Sequence, residues 1–438
     1  MLYFSLMKNI NFRLVFVVMF GFVGIFAFLV FAGYLPFPSF SSGGDTDIAG
    51  EVNIWGSVPS QTIKPYLEDL QTDKLRVIYS EIATGDLETG LINALATNSG
   101  PDIILWSHEG ILRHADKMLL IPYETISQEM FSKTFVRSAD IFVLDEGILA
   151  LPIMTDPLLF FINNRISASS FVTKNPENWQ EVQESAQSMT RLASTGEILQ
   201  SGLAFGTSNN IPNIKTIISG LFFQQGIRIV DPRTRQTDLL DGNNSQLAAD
   251  ALSFFSAFSD PNLESYTWNT SLPNATDMFV SGKLGMYIDH ASAITNILNK
   301  NPNLDFSVDI LPQPTGALDR VTAGQLYALA LTKDSTRNID AASHIFLQLA
   351  YSDGILELAK NLSLAPARLS SLSTSGSNSF LETLYKSALI MQTWLDPDPA
   401  TTDRFFEQMV RAVNSNAQDP ENAINVLQQN ISRMFIQI

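Results

Sequence analysis

Residues 99–164 constrain the fold of this chain more than any other stretch. They open with SGPDIILWSHEGILRHADKMLLIPYE and close with GILALPIMTDPLLFFINN. Gly100 and Pro101 give a turn signal that sets up a short apolar run at 103–106. A run of that kind reads as a strand buried on both faces, the habit of parallel sheets covered by helices. A helix is expected near 109–116, then a return strand at 148–153 that runs toward an acid, Asp156. Open α/β sheets bind ligands just beyond the carboxyl ends of their strands. Here that position holds Trp106, Ser107, His108 and Glu109.

The same alternation runs along the rest of the body. Strands are expected at 51–55 and 75–79, and a helix at 59–70 carries Ile63, Leu67 and Leu70 on one face. Leu87, Leu91, Ile92 and Leu95 mark the apolar face of a second helix. After Pro157 come a strand at 158–162, a helix at 179–192 and a strand at 203–205. The loop GTSNN at 206–210 is dense in hydrogen-bonding groups, and helices at 214–223 and 246–258 follow. Residues 277–280 lead through a Gly282 and Lys283 turn into a strand at 284–289 that ends in acid, followed by strands at 309–313 and 323–331. The last third reads as helices at 341–350, 353–360, 380–392, 402–414 and 421–438. Strands alternating with helices imply an α/β fold of mainly parallel sheets flanked by helices.

Length and charge narrow the function classes. The 438 residues suffice for two domains. With 44 acidic against 27 basic side chains, the chain lacks the basic face that phosphate backbones require, which argues against nucleic acid. It has no cysteine, which removes disulfides, thiolate metal sites, cysteine nucleophiles and a lipid-modified cysteine together. No cofactor motif occurs, and His108 and His114 stand six apart, the wrong spacing for an i, i+4 metal pair. Residues 14–35 carry no charge and follow Lys8 and Arg13. As a helix they span roughly 33 Å, enough to cross a bilayer with the body outside and residues 1–13 in the cytoplasm. A signal peptide cut after Ala32 is the competing reading, but the apolar run is long for one. Residues 36–50, with Pro36, Pro38 and a Ser/Gly run, form a flexible linker.

Three segments, GPDIILW with Ser107 and His108, LALPI with Asp156 and Pro157, and FVSGKLGMYID, occur in that order. In this order and spacing the chain from about residue 51 resembles the family 1 extracellular solute-binding proteins of sugar ABC importers, the maltose-binding class in particular. The resemblance implies a two-lobe periplasmic-binding-protein-like fold of type II. One lobe would combine 51–155 with 315–365, the other 158–310 with 370–438. Crossings would lie near 154–157, 311–316 and 364–370. It further implies a monomer, tethered by its N-terminal helix, that closes around a small polar solute by hinge motion and hands it to ABC permease subunits.

Sugars offer apolar ring faces and fringing hydroxyls, so aromatics, acids and amides at strand ends are the candidate contacts. These are Trp55 and Ser57 after the first strand, Trp106 and Glu109 after the third, and Asp156 at the first crossing. Asn209, Asn210, Asp289, His290, Ser292 and Gln325 fill other strand-end loops, and Phe406 stands where the class carries a stacking aromatic. Each has a plainer explanation. Trp55 and Trp106 fit a core, Glu109 fits a helix first turn favoured by the dipole, Asp156 fits a turn before proline, and His290 fits a hydrogen-bonded structural histidine. The sequence also departs from the maltose-binding class. Ile54 and Trp55 are followed by GSVP instead of an Asp–Lys pair, and Ser292 and Ile294 replace paired tryptophans. A solute other than maltodextrin is expected.

Two other classes fit the same residues. A sensor or adhesion ectodomain can use this fold without transport. An anchored glycoside hydrolase would need a working carboxylate pair, and strand-end acids also serve binding. No G-x-S-x-G elbow, H-E-x-x-H or P-loop occurs.

Overall fold

The computed structural model describes residues 48–373 and 378–436. The expected anchor and linker lie outside them, apart from residues 48–50. No helix among the described residues is long and apolar enough to cross a membrane.

The strands, in chain order, are β1 (Gly50–Gly56), β2 (Leu75–Glu81), β3 (Ile103–Ser107), β4 (Val143–Leu144), β5 (Gly147–Ile148), β6 (Leu151–Asn163) and β7 (Arg191–Leu192). They continue with β8 (Ile198–Leu203), β9 (Leu284–His290), β10 (Phe306–Ile310), β11 (Thr322–Leu331), β12 (Ala365–Pro366) and β13 (Met391–Gln392). All but β4 and β5 join one sheet, in the order β2-β1-β3-β11-β6-β9-β8-β7. β10 and β12 also pair with β6, and β13 pairs with β11.

The two expected strands on either side of Pro157 are one continuous strand. All thirteen residues of β6 are buried. Its first half pairs with β11, Leu151 opposite Leu329 and Pro157 opposite Gly324. From Leu158 onward it lies between β9 and β10. Burial on both faces explains why the sequence runs apolar instead of alternating. Pro157 has no N–H to give a ladder, and it falls where β6 changes neighbours. Its carbonyl accepts from Ala291 N at 3.0 Å.

The sheet is mixed, which corrects the expectation of mainly parallel sheets. β1 runs parallel to β2 and β3, and β8 to β9. β11 is antiparallel to both β3 and β6, and β6 to β9 and β10. The reason is connectivity: β6 runs out of one lobe and β11 runs back into it, so the central pair must be antiparallel. Helices cover both faces, giving an α/β protein of two lobes.

Each lobe has its own core. In the first, the helix Ile339–Tyr351 packs on β1 and β11, and Ile54, Ile103, Ile104 and Leu329 of the sheet and Ile345 and Phe346 of the helix are all essentially unexposed. In the second, the Phe205 ring meets Trp179, Phe254, Phe255 and Phe258, the closest at 4.5 Å between centroids. A second aromatic group joins Phe161, Phe279, Tyr287 and Phe306 across β6, β9 and β10.

Candidate solute-binding site

β3 ends at Ser107, whose hydroxyl accepts from Gly110 N at 3.4 Å and caps the helix His108–Arg113. The cap fixes His108 and Glu109 in the first turn, at the strand's carboxyl end. The His108 ring is buried against β11 and β13. Its Nδ1 accepts from Leu326 N at 3.3 Å, so the proton of the neutral ring sits on Nε2, which donates to Thr393 Oγ1 at 2.5 Å. Burial pushes its pKa down to about 3, helped by the Lys215 charge and opposed by Asp396.

Lys215 enters from the other lobe, in the first turn of the helix Ile214–Gln224. Its side chain is only 7% exposed. Nζ lies 2.7 Å from Asp396 Oδ2, 3.1 Å from Glu109 Oε1 and 3.2 Å from Asp403 Oδ1. Thr402 Oγ1 and the Pro399 carbonyl stand at 3.4 Å. The acids are placed by the start of the helix Pro399–Asn414, where Asp398 accepts from Thr401 N at 3.3 Å and Pro399 takes the first turn. Burial alone would lower the Lys215 pKa, but the three carboxylates outweigh it and raise it. Burial, with the neighbouring Glu109 charge, raises that of Asp396, while Lys215 opposes the shift. The three carboxylates account for the first direction and burial for the second.

A second polar group sits where β6 changes neighbours. The Asp156 carboxylate accepts from Ser292 N at 3.0 Å and Ser292 Oγ at 2.6 Å. Its carbonyl accepts from His290 Nδ1 at 2.8 Å. The buried His290 Nε2 has no hydrogen-bond partner. Asp289 beside it is held by Tyr287 Oη, Asn213 Nδ2 and His290 N, and burial raises its pKa.

Beside the Lys215 group lies a narrow cleft. Glu109 and Gln325 line it from one side, Lys215, Ser219, Thr393 and Trp394 from the other. The walls enclose only about 10 Å³, room for one water at most. The groups that converge there are donors and acceptors suited to a small polar molecule. The described residues hold no cluster of three His, Cys, Asp or Glu side chains disposed to bind a metal.

The sequence profile described as bacterial extracellular solute-binding protein matches residues 56–355. The chain belongs to that family.

Solved structures share the fold at low identity. The cyclic α-maltosyl-1,6-maltose binding protein from Arthrobacter globiformis superposes with a TM-score of 0.72 at 15% identity, covering 88% of this chain and 99% of that one. The GacH receptor of Streptomyces glaucescens, solved unliganded and with acarbose, gives 0.68 at 17%, covering 88% and 98%. The MalE maltose/maltodextrin-binding domain from Bdellovibrio bacteriovorus, bound to maltotriose, gives 0.64 at 16%, covering 89% and 100%. No curated protein sequence matches.

Within this solute-binding protein the expected site residues fall into three groups. Glu109 and Gln325 line the cleft. Asp156, Asp289, His290 and Ser292 come together behind it at the β6 switch. The others stand apart. Trp106 is buried, stacked on His114 at 5.7 Å and 7°, over Gly110, where an added Cβ would come within 2.2 Å of the ring. Phe406 is fully buried against Phe222 and Trp394. Asn210 braces its own loop, bonding Thr207 and the Trp268 indole, while Asn209 is exposed. Trp55 and Ser57 are half-buried at the end of β1. Sequence reasoning left Trp394 open between core and cleft, where it lines the cleft, and missed Lys215, Asp396 and Thr393. Lys215 left a signal, being the single charge in the apolar run at 211–223.

Proposed function

We propose that this chain captures a sugar between its two lobes and delivers it to an ABC importer. The observation that carries this is the convergence of Glu109 and Lys215, from opposite lobes, in a cleft at the carboxyl end of β3. Sugar recognition needs charged and amide groups that bond hydroxyls in pairs, and the cleft supplies Glu109, Lys215, Gln325 and Thr393. Family membership and the sugar-binding neighbours of the same fold support the reading. Residues 14–35 anchor the protein, and the body works outside the cytoplasm.

The lobes are 51–155 with 315–365, and 158–310 with 370–438. Solute entry requires the walls to part, because the closed cleft has no room for a sugar. Opening bends the chain at the crossings near 154–157, 311–316 and 364–370. A thermal-shift screen of the full-length protein in detergent, against mono- and oligosaccharides, polyols and amino acids, tests the proposal. A sugar is expected to raise the Tm by linkage. A Tm unmoved by every sugar, or raised only by amino acids, would sink it.

A further inference from the structure

Lys215 is more than another polar group in the cleft. An ammonium has three protons to donate; Glu109 Oε1 and Asp396 Oδ2 accept from it at 3.1 and 2.7 Å, and Asp403 Oδ1 makes an ion pair with it at 3.2 Å. Asp396 and Asp403 belong to Lys215's own wall; Glu109 alone belongs to the facing one. The group of four carries two net negative charges. Two further contacts tie the same walls, Arg113 Nη1 to Asp398 Oδ1 at 3.2 Å and His108 Nε2 to Thr393 Oγ1 at 2.5 Å. Lys215 thus fills, from inside the chain, the place of a donor bridging the two walls.

We propose that the Lys215–Glu109 pair is a latch which the solute must replace, and that this exchange selects the solute. When the walls part, Lys215 keeps Asp396 and Asp403, and Glu109 is left with no donor from the facing wall. The accepted solute hands Glu109 hydroxyl or ammonium donors. A carboxylate-bearing sugar brings another negative charge against Glu109, Asp396 and Asp403 and is rejected. This inference rests on the cleft being the solute site.

The chain has no cysteine, so two labels can be introduced without background. Asn93→Cys and Gln408→Cys are exposed positions on helices of the two lobes. Spin-label distances are measured on the full-length protein in detergent without sugar, then with Glu109→Gln and with Lys215→Met. Glu109→Gln keeps the side chain's shape and removes only the cross-wall charge. It is expected to shift the distribution to longer distances, and Lys215→Met to shift it at least as far if the protein folds. An unchanged distribution with Glu109→Gln overturns the latch.

The selection is read by Tm with mannotriose, chitosan trisaccharide and trigalacturonic acid. The neutral or amino probe is expected to stabilise and the acidic one not, with Glu109→Gln weakening the binder about tenfold or more. Stabilisation by trigalacturonic acid overturns the selection. Lengthened distances with no response to any sugar would uphold the latch while removing the solute reading beneath it.

Discussion

Oε1 of Glu109 lies 3.1 Å from Nζ of Lys215, and the two residues reach each other from separate lobes. Each is set by the first turn of its own helix, one following β3 and the other following the 206–213 loop. The pair is anchored unequally. Lys215 is held from behind by the fully buried Asp396, whereas Glu109 reaches forward from a capped helix end. That asymmetry separates what holds the lobe together from what spans the cleft.

Asp396→Ala should therefore cost stability. The carboxylate is 1% exposed and also accepts from Thr402 Oγ1 at 2.6 Å and Asp398 N at 3.1 Å. Breaking a buried pair leaves its partner's charge under-compensated, a loss of 3–5 kcal/mol in general. Glu109 and Asp403 still face Lys215, so a loss near the low end, about 3 kcal/mol, is expected in urea unfolding at pH 7. Asp403→Asn, at a side chain 53% exposed, should cost less than about 1 kcal/mol.

His108 predicts an acid-side loss of stability. Its folded pKa is depressed to about 3, so between that value and the unfolded value of 6.5 the unfolded chain binds a proton that the folded chain refuses. The contribution is present above 6.5 and lost as pH falls, by about 1.4 kcal/mol per pH unit once well below 6.5. Asp289 and Asp396, whose pKa values are raised, act with the opposite sign. The expected readout is thus a difference: His108→Gln flattens the wild-type decline between pH 6.5 and 5. Equal slopes in the two proteins would refute the assignment.

Gly324 lies opposite Pro157, where β6 changes neighbours. A Cβ there would meet the Asp156 carbonyl at 2.6 Å and Pro157 Cα at 2.7 Å, both backbone, with Met391 Sδ at 2.4 Å. Only the methionine can move aside. Gly324→Ala should destabilise by about 1–3 kcal/mol through overpacking, measured by chemical denaturation.

The elements were legible wherever local pattern decides them. The apolar runs at 103–106 and 284–289 and the helix 214–223 appear close to where their residues imply. What local pattern could not carry was pairing. The segments around Pro157 read as two strands, because proline looks like a break until a change of ladder partner makes its missing N–H harmless. Direction was hidden for the same reason: β11 is antiparallel to β6 through chain connectivity, which no local residue records. The site was half legible. Glu109 followed from the rule of strand ends, whereas Gln325, expected in a strand-end loop, lines the cleft from inside β11, paired opposite Asp156. Lys215 did not follow from that rule, because its helix reads as core and its partners Asp396 and Asp403 lie some 180 residues further on. Trp106 shows the limit of that rule, since a strand-end aromatic can fold back over its own helix.

Trp106 and Gln325 should accordingly separate packing from recognition. Trp106 is 7% exposed and packs on Gly110 and His114 within one lobe. Removing an aromatic of that burial costs about 3–5 kcal/mol. Trp106→Ala should lower the Tm strongly while leaving the affinity of the folded fraction near wild type. Gln325 faces the cleft from β11, and its Oε1 accepts from Tyr327 Oη at 3.3 Å. Gln325→Ala forfeits that bond alone, a cost of about 1 kcal/mol. Its affinity for any sugar that stabilises the wild type should fall several-fold by calorimetry. The reverse result, with Trp106→Ala losing affinity at full stability, would move the solute from the cleft to the far side of the Trp106 ring.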